Sequence, residues 1–366
     1  MLRGVGHSLV ALVLAVGVLM ALLSLGAVRE FTIPSRAPAA GTLATLEASF
    51  NVAGDIYDLA YDSQRDSVWY AIFGDVDKVF QIRLKDLQTF SWDLPSTDYD
   101  GGTSKVGVAG DGSVWVTEPY QLIRLSPEKN TEQTLKFSPQ DPGALPNALD
   151  PGNPVPGTWI SAIAFQAADA VVARNNVPFL MRVTAEMNVA GTVALPPGYD
   201  GAYDIAVEQD GTIYATRDWA NSPSAVMIIS PGGSNSQSTA IAGRLDQTSG
   251  GVLASGGLGL GDWLAVHGAV TPIIANGASS PMNISVADPR GGVTAYDSTH
   301  GVIERIVNGQ IVSEFVVPTR TAVVRYPGSA GKTETVAASV RDLVTDANGN
   351  TWYFDASRRV LEEIAL

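Results

Sequence analysis

Between Gly110 and Pro127 the chain reads GDGSVWVTEPYQLIRLSP: a turn, an alternating run, a short loop and a second alternating run. Alternation of apolar and polar positions is the period of a half-buried β-strand. Asp-Gly supplies the positive φ that a two-residue hairpin turn requires. The pattern returns along the chain. SVWVTE (Ser113 to Glu118) reappears as SVWYAI (67–72), TIYATR (212–217) and NTWYFD (350–355), and more weakly as AVVARN (170–175), GVTAYD (292–297) and DWLAVH (262–267). Apolar strands with tight turns precede several copies, best seen in YDIAVEQDG (203–211) and RDLVTDANG (341–349). A third strand follows six of them, as in VFQIRL (79–84) and VLEEIA (360–365), and a fourth often ends in proline, as in TFSWDLP (89–95).

Four short antiparallel strands recurring about every 40 to 46 residues are the signature of a β-propeller blade. The expectation is an all-β, seven-bladed β-propeller over residues 42–366. Its last blade stops after three strands, and LATLEASF (43–50) is expected to supply the fourth and close the ring. A β-sandwich with a small second domain is the alternative, but sandwiches lack a four-strand period. Two segments interrupt the repeat: the proline-rich stretch 138–158 and the stretch 320–338, both read as loops on the ring faces.

Composition narrows the chemistry. A formal charge of −14, with no run of Lys or Arg, excludes a nucleic-acid partner. The absence of cysteine removes disulfides, thiol nucleophiles and thiolate metal sites, and three histidines are too few for a multi-histidine centre. Ser8 to Val28 is uncharged and apolar, long enough to cross a bilayer as a helix. Residues 1–28 are therefore expected to be a transmembrane signal anchor or a signal peptide, and 29–41 a linker. The body is expected outside the cytoplasm, at the cell membrane or secreted.

The units GDGSVWVTEPYQLIRLSP and GGVTAYDSTHGVIERIVNGQIVSEFVVP resemble blades of the virginiamycin B (streptogramin) lyase family. The resemblance covers roughly Asp55 to Leu366 and is poorest at 250–282. It implies a propeller fold and a magnesium-dependent elimination that opens a cyclic depsipeptide. That chemistry needs a base for the proton beside the carbonyl and a cation on the carbonyl oxygen. The family's catalytic histidines correspond here to Tyr57, Ser104, Ser161, Tyr203, Asn283 and Arg341, with Leu253 in the poorest copy. None is histidine, which weighs against the lyase activity.

One residue further on stand Asp58, Asp204 and Asp342, with Lys105 among them. With Tyr57, Tyr203 and Arg341 they are expected to ring the central opening, where the three carboxylates are candidates for a Mg or Ca site. A second set, Glu118, Arg217, His267, Asp297 and Asp355, ends the second strands. His267 is a candidate base, and His300 lies beside Asp297 in DSTHGVIE. Trp69, Trp115 and Trp352 share one repeat position and read as core between blades, whereas Trp159 and Trp219 are candidates for ligand stacking. DANGN (346–350) is a hairpin turn rather than a calcium loop. The function expected is a binding or scaffold module of the cell envelope, its partner a protein, glycan or small ligand. A metal-assisted lyase- or lactonase-like enzyme and a ligand-sensing propeller are the alternatives.

Overall fold

The computed structural model describes residues 42–73, 78–95, 105–129, 131–137, 159–175, 177–197, 199, 201–217, 224–242, 244–248, 251–255, 262–266, 269–273, 282–308, 310–324 and 332–366. All of them belong to the unit Pro38–Leu366. They form a β-propeller. Six four-stranded antiparallel sheets span residues 55–93, 105–136, 160–194, 204–242, 244–273 and 340–365, the last completed by Thr45–Asn51. The sheet at 282–316 differs, because Thr42–Leu43 adds a fifth strand, parallel to Gln310–Val316.

These sheets correct the expectation of seven four-stranded blades with an N-terminal helix. Six blades have that form, and no helix occurs among the described residues. No helix among them is long and apolar enough to cross a membrane. The expected anchor at 1–28 and the linker lie outside the described residues, as do the stretch 138–158, His267 and Trp219.

The N-terminal strand does complete the closing sheet. Thr45–Asn51 runs antiparallel to Val360–Ala365, with Phe50 opposite Leu361. This noncovalent closure leaves the third strand, Val360–Ala365, paired on both sides. The second expected insertion is partly ordered as a hairpin, Arg320–Val324 against Lys332–Val336.

The blade at 244–273 is displaced from its expected register. DWLAVH was expected as a second strand, but Asp262–Val266 is third in its sheet. The inner strand is Arg244–Thr248, antiparallel to Gly251–Ser255, with Thr248 opposite Gly251. Leu253 therefore lies on a second strand, buried, and cannot hold the inner-strand position the repeat assigned to it.

The core lies between blades. Trp69, Trp115 and Trp352 are fully buried. Trp69 packs among Val106, Val116 and Ile123 of the next blade, Trp115 among Ile160, Val172 and Met181, and Trp352 among Ile56, Val68 and Tyr70. One tryptophan at one repeat position thus fills three interfaces, as its spacing implied. DANGN is a hairpin turn: Asp346 accepts bonds from the Asn348 and Asn350 amides, and Gly349 takes φ 82°.

Candidate functional site: the central opening

The first strand of each sheet faces a central cavity of about 760 Å³. An inner strand is an edge strand, so some of its amides have no ladder partner. Carboxylates from the neighbouring blade take them up. Asp342 accepts from the Leu59 amide (2.7 Å), Asp58 from Val106 (2.9 Å), Asp204 from Leu245 (3.0 Å) and Asp246 from Ala287 (3.1 Å). In each case the aspartate clasps the blade that follows it around the ring. Ser161 makes a related link, donating to the Ala202 carbonyl at 2.6 Å.

At Asp58, Ser161 and Asp342 the local backbone explains how the side chain reaches inward. Register shifts interrupt the ladder near the start of four inner strands, at Ile56/Leu59, Ile160/Ala162, Met282/Ile284 and Val340/Asp342. An extra residue there bends the strand and re-aims its side chains.

Two cations join the ring. Lys105 Nζ lies 3.4 Å from Asp58, and Arg244 pairs with Asp342 at 2.9 Å while donating to the Arg341 carbonyl. Burial alone would lower the Lys105 ammonium, but Asp58 and Asp204 outweigh it and raise it above its usual range. Arg244 is raised likewise by Asp342, Asp204 and Asp58 against the same burial. Burial pushes Asp58 up to about 7, with Lys105 opposing and Asp342 adding to the shift. Burial also pushes Asp246 up to about 7, against the Ala287 bond and with the charges of Asp342 and Asp204.

The structure brings Asp58, Asp204 and Asp342 to one cavity, together with Arg244 and Asp246, which the repeat pattern missed. Arg244 occupies in its blade the place that Asp204 and Asp342 hold in theirs: it faces Ser255 as Asp204 faces Thr216 and Asp342 faces Phe354. Asp246 lies two residues deeper, on the same side of the strand by the two-residue period. The signal available in the sequence was the Ser249-Gly250 dipeptide, a turn signature directly after Thr248.

The expected metal set is not assembled. Among the described residues no three of His, Asp and Glu converge as ligands. Asp58 faces Lys105 and Asp342 faces Arg244, so ammonium and guanidinium groups stand where a Mg or Ca ion would need oxygen donors. The residues do not fit a divalent cation, and no metal-assisted step is drawn through them.

Around the ring, Tyr57 is 39% exposed and Arg341 lies over its ring, 5.7 Å from the centroid. Tyr203 is half-buried, and burial raises its phenol. The second-strand ends share this face, because Asp355 pairs with Val340, Asp297 with Met282 and Thr216 with Asp204 at the inner-strand starts.

Their side chains serve turns. Asp297, fully buried, accepts the Thr299 and His300 amides and meets His300 Nδ1 at 2.5 Å. Asp355 accepts the Ser357 amide and Arg358 Nε at 2.6 Å, and Asp62 holds Arg65 in the same way. His300 thus occupies the cation's place in a D-x-x-R turn used elsewhere in the chain. Buried Glu118 accepts from the Gln121 amide group. Exposed Arg217 lies over Tyr199 at 5.8 Å. Trp159 is partly exposed, its carbonyl bound by the Asn175 amide.

No family model matches the sequence, and no curated protein matches it. Solved structures do. A streptogramin B lyase superposes with a TM-score of 0.64 at 14% identity, over 88% of this chain and 98% of the lyase. Virginiamycin B lyase from Staphylococcus aureus gives 0.60 at 15%, over 88% and 99%. The WD40 domain of Neurospora crassa Pan2 gives 0.63 at 10%, over 90% and 97%. The likeness is one of fold. A lyase and a WD40 domain match about equally well, so it carries no activity with it.

The ring makes a testable claim about Asp246. Its carboxyl is pushed above the usual value, so the folded state holds this proton more tightly than the unfolded chain does. Stability from this group is complete below about pH 4 and falls as pH rises towards 7. Asp246→Asn keeps an oxygen for the Ala287 amide and removes the charge. It is expected to stabilise the fold by about 1–2 kcal/mol at pH 8, discounted for water in the opening, and to be neutral at pH 4. Urea unfolding at both pH values measures it, and a loss at pH 8 would contradict the assignment.

Proposed function

We propose that this protein is a binding or scaffold module, without catalytic turnover, that presents the ring face bearing Tyr57, Tyr203, Arg341 and Arg217 to a protein, glycan or small ligand. One observation carries the reading. The charged groups at the opening are engaged with one another and with inter-blade amides, which suits a rigid platform. Similarity to a chain of a mitotic checkpoint complex and to the WD40 domain of Pan2 supports a platform role. The uncharged stretch Ser8–Val28 supports attachment to a membrane with the propeller outside the cytoplasm, or secretion if that stretch is cut.

The test replaces Tyr57 and Arg341, one at a time, with a photo-crosslinking amino acid in cells, with Phe90 on an outer strand as control. Discrete adducts at the first two positions and none at Phe90 are expected. Equal labelling at all three would remove the ring face as the binding surface. A second reading, a lyase- or lactonase-like enzyme, rests on Asp58, whose carboxyl at about 7 beside the cavity suits a general base. Opening of a cyclic depsipeptide or lactone that disappears in Asp58→Asn would establish it. No turnover is expected.

A further inference from the structure

Glu304 and Glu314 lie directly opposite each other on the third and fourth strands of the sheet at 282–316, 0% and 8% exposed. Directly opposed side chains start about 5 Å apart at Cβ, so the two carboxyl groups are within reach of one another.

The closing blade has the same position. There Glu362 stands opposite Tyr353 and Ser49. It accepts from the Tyr353 hydroxyl, from Ser49 at 3.1 Å and from Arg358 at 2.6 Å. In the sheet at 282–316 the same three places hold Ala295, Glu314 and His300. The phenol is gone, a second carboxyl replaces the hydroxyl, and the His300 Nδ1 is bound to Asp297 at 2.5 Å. Oε2 of Glu314 has no hydrogen-bond partner among the described residues.

No lysine or arginine of the facing blade answers the pair. Ile303 and Phe315 pack against the closing blade, so by the two-residue period Glu304 and Glu314 face the blade at 244–273. From 245 to 289 the sequence has neither Lys nor Arg; its ionisable residues are Asp246, Asp262, His267 and Asp288. Arg244 is engaged with Asp342 at the opening. Within the sheet, Asp297 shares the face of Glu304 and holds His300, whereas Arg305 points to the other side and pairs with Asp288. The inner strand Met282–Ala287 and the added strand Thr42–Leu43 carry no ionisable side chain. Behind the sheet, Glu362 is matched by Arg358.

We propose that Glu304 and Glu314 share one proton, and that its loss in alkaline solution frees Thr42–Leu43 from the sheet at 282–316.

Two buried carboxylates side by side do not both ionise without a counter-charge. Glu304, the more deeply buried, keeps the proton and donates its O–H to Oε2 of Glu314, which gives that atom its partner. Loss of the proton to water leaves two anions on adjacent strands. Glu314 is also the seat of the first strap strand: Leu43 pairs with it, and the Ala44 amide donates to its carbonyl at 3.2 Å. A two-residue strand on one sheet edge is an element of low local stability and yields first. Thr45–Asn51 keeps its own anchors, Ser49 on Glu362 and Phe50 on Trp352.

The experiment is carboxyl-carbon NMR of the full chain, selectively labelled at glutamate, from pH 4 to 9, together with amide exchange at Ala44 and Phe50. One glutamate midpoint above about 6 is expected, lost in Glu304→Gln and lowered by about 1–2 units in Glu314→Gln. His300→Arg restores the D-x-x-R turn and brings a guanidinium to Glu304, as Arg358 reaches Glu362, so it is expected to lower the midpoint too. Protection at Ala44, corrected for intrinsic rate, is expected to fall about tenfold or more between pH 6 and 9, with Phe50 changing less than about threefold. Glutamate midpoints all below about 5 would overturn the shared proton. Ala44 protection as constant as that of Phe50 would overturn the release. Both readouts come from the protein without a partner, so they stand apart from the crosslinking test of the binding surface.

Discussion

Deleting residues 42–51 from the full chain is expected to destabilise the propeller by about 3–6 kcal/mol, a large share of the total stability of an ordinary domain. The segment does two jobs. Thr42–Leu43 extends the sheet at 282–316, and Thr45–Asn51 supplies the outer strand of the closing sheet. Its backbone bonds run from Thr45 opposite Ala365 to Asn51 opposite Val360, each worth roughly 0.5–1.5 kcal/mol net. Phe50 adds a ring contact with Trp352 at 5.9 Å, and Ser49 donates to Glu362 at 3.1 Å. Glu362 sits in a buried network with Arg358 and Tyr353, so losing Ser49 leaves that network one donor short. Urea unfolding followed by tryptophan fluorescence measures the loss, with Phe50→Ala as the milder variant at about 1–2 kcal/mol. An unchanged midpoint on deletion would show that the ring holds itself closed without the strap.

The strap was legible because LATLEASF alternates and the last repeat lacks a strand. The same period hid other features. A two-residue strand has no period to detect, so nothing in Thr42–Leu43 announced a fifth strand. In the blade at 244–273 the inner strand ends at Thr248, and the apolar run DWLAVH imitates the second-strand pattern. Arg244 and Asp246 were missed together for that reason. The aspartates at 58, 204 and 342 were visible as a set, but their work was not. A carboxylate that clasps the next blade cannot be distinguished by spacing from one that caps its own turn, because the partner amide lies some 40 residues or more away, or at the other end of the chain. By contrast, the His300 position was readable in retrospect: DSQR at 62–65, DSTH at 297–300 and DASR at 355–358 are one turn written three times.

Replacing Arg244 with methionine is expected to destabilise the fold by about 2–4 kcal/mol at pH 8, since removing one member of a largely buried ion pair strands the other. The guanidinium serves more than Asp342. It donates to the Arg341 carbonyl and lowers both Asp58 and Asp246, whose carboxyls already sit about 7. Without it those two carboxyls rise further, and the folded state above their new values carries uncompensated negative charge. The sign of the pH dependence follows. Folded values above the unfolded 3.8 mean that stability is lost as pH rises through them and recovered as pH falls, so the deficit should shrink by about half at pH 5. Arg244→Met/Asp342→Asn should recover more than half of the loss at pH 8, because the amide oxygen still takes the Leu59 bond and no charge is left behind. A deficit that is equal at pH 5 and pH 8, with additive single variants, would mean that Arg244 acts through its aliphatic stem and that the ring's charges are screened by water. Recovery at low pH would instead tie the stability of the blades to the protonation of the opening they surround.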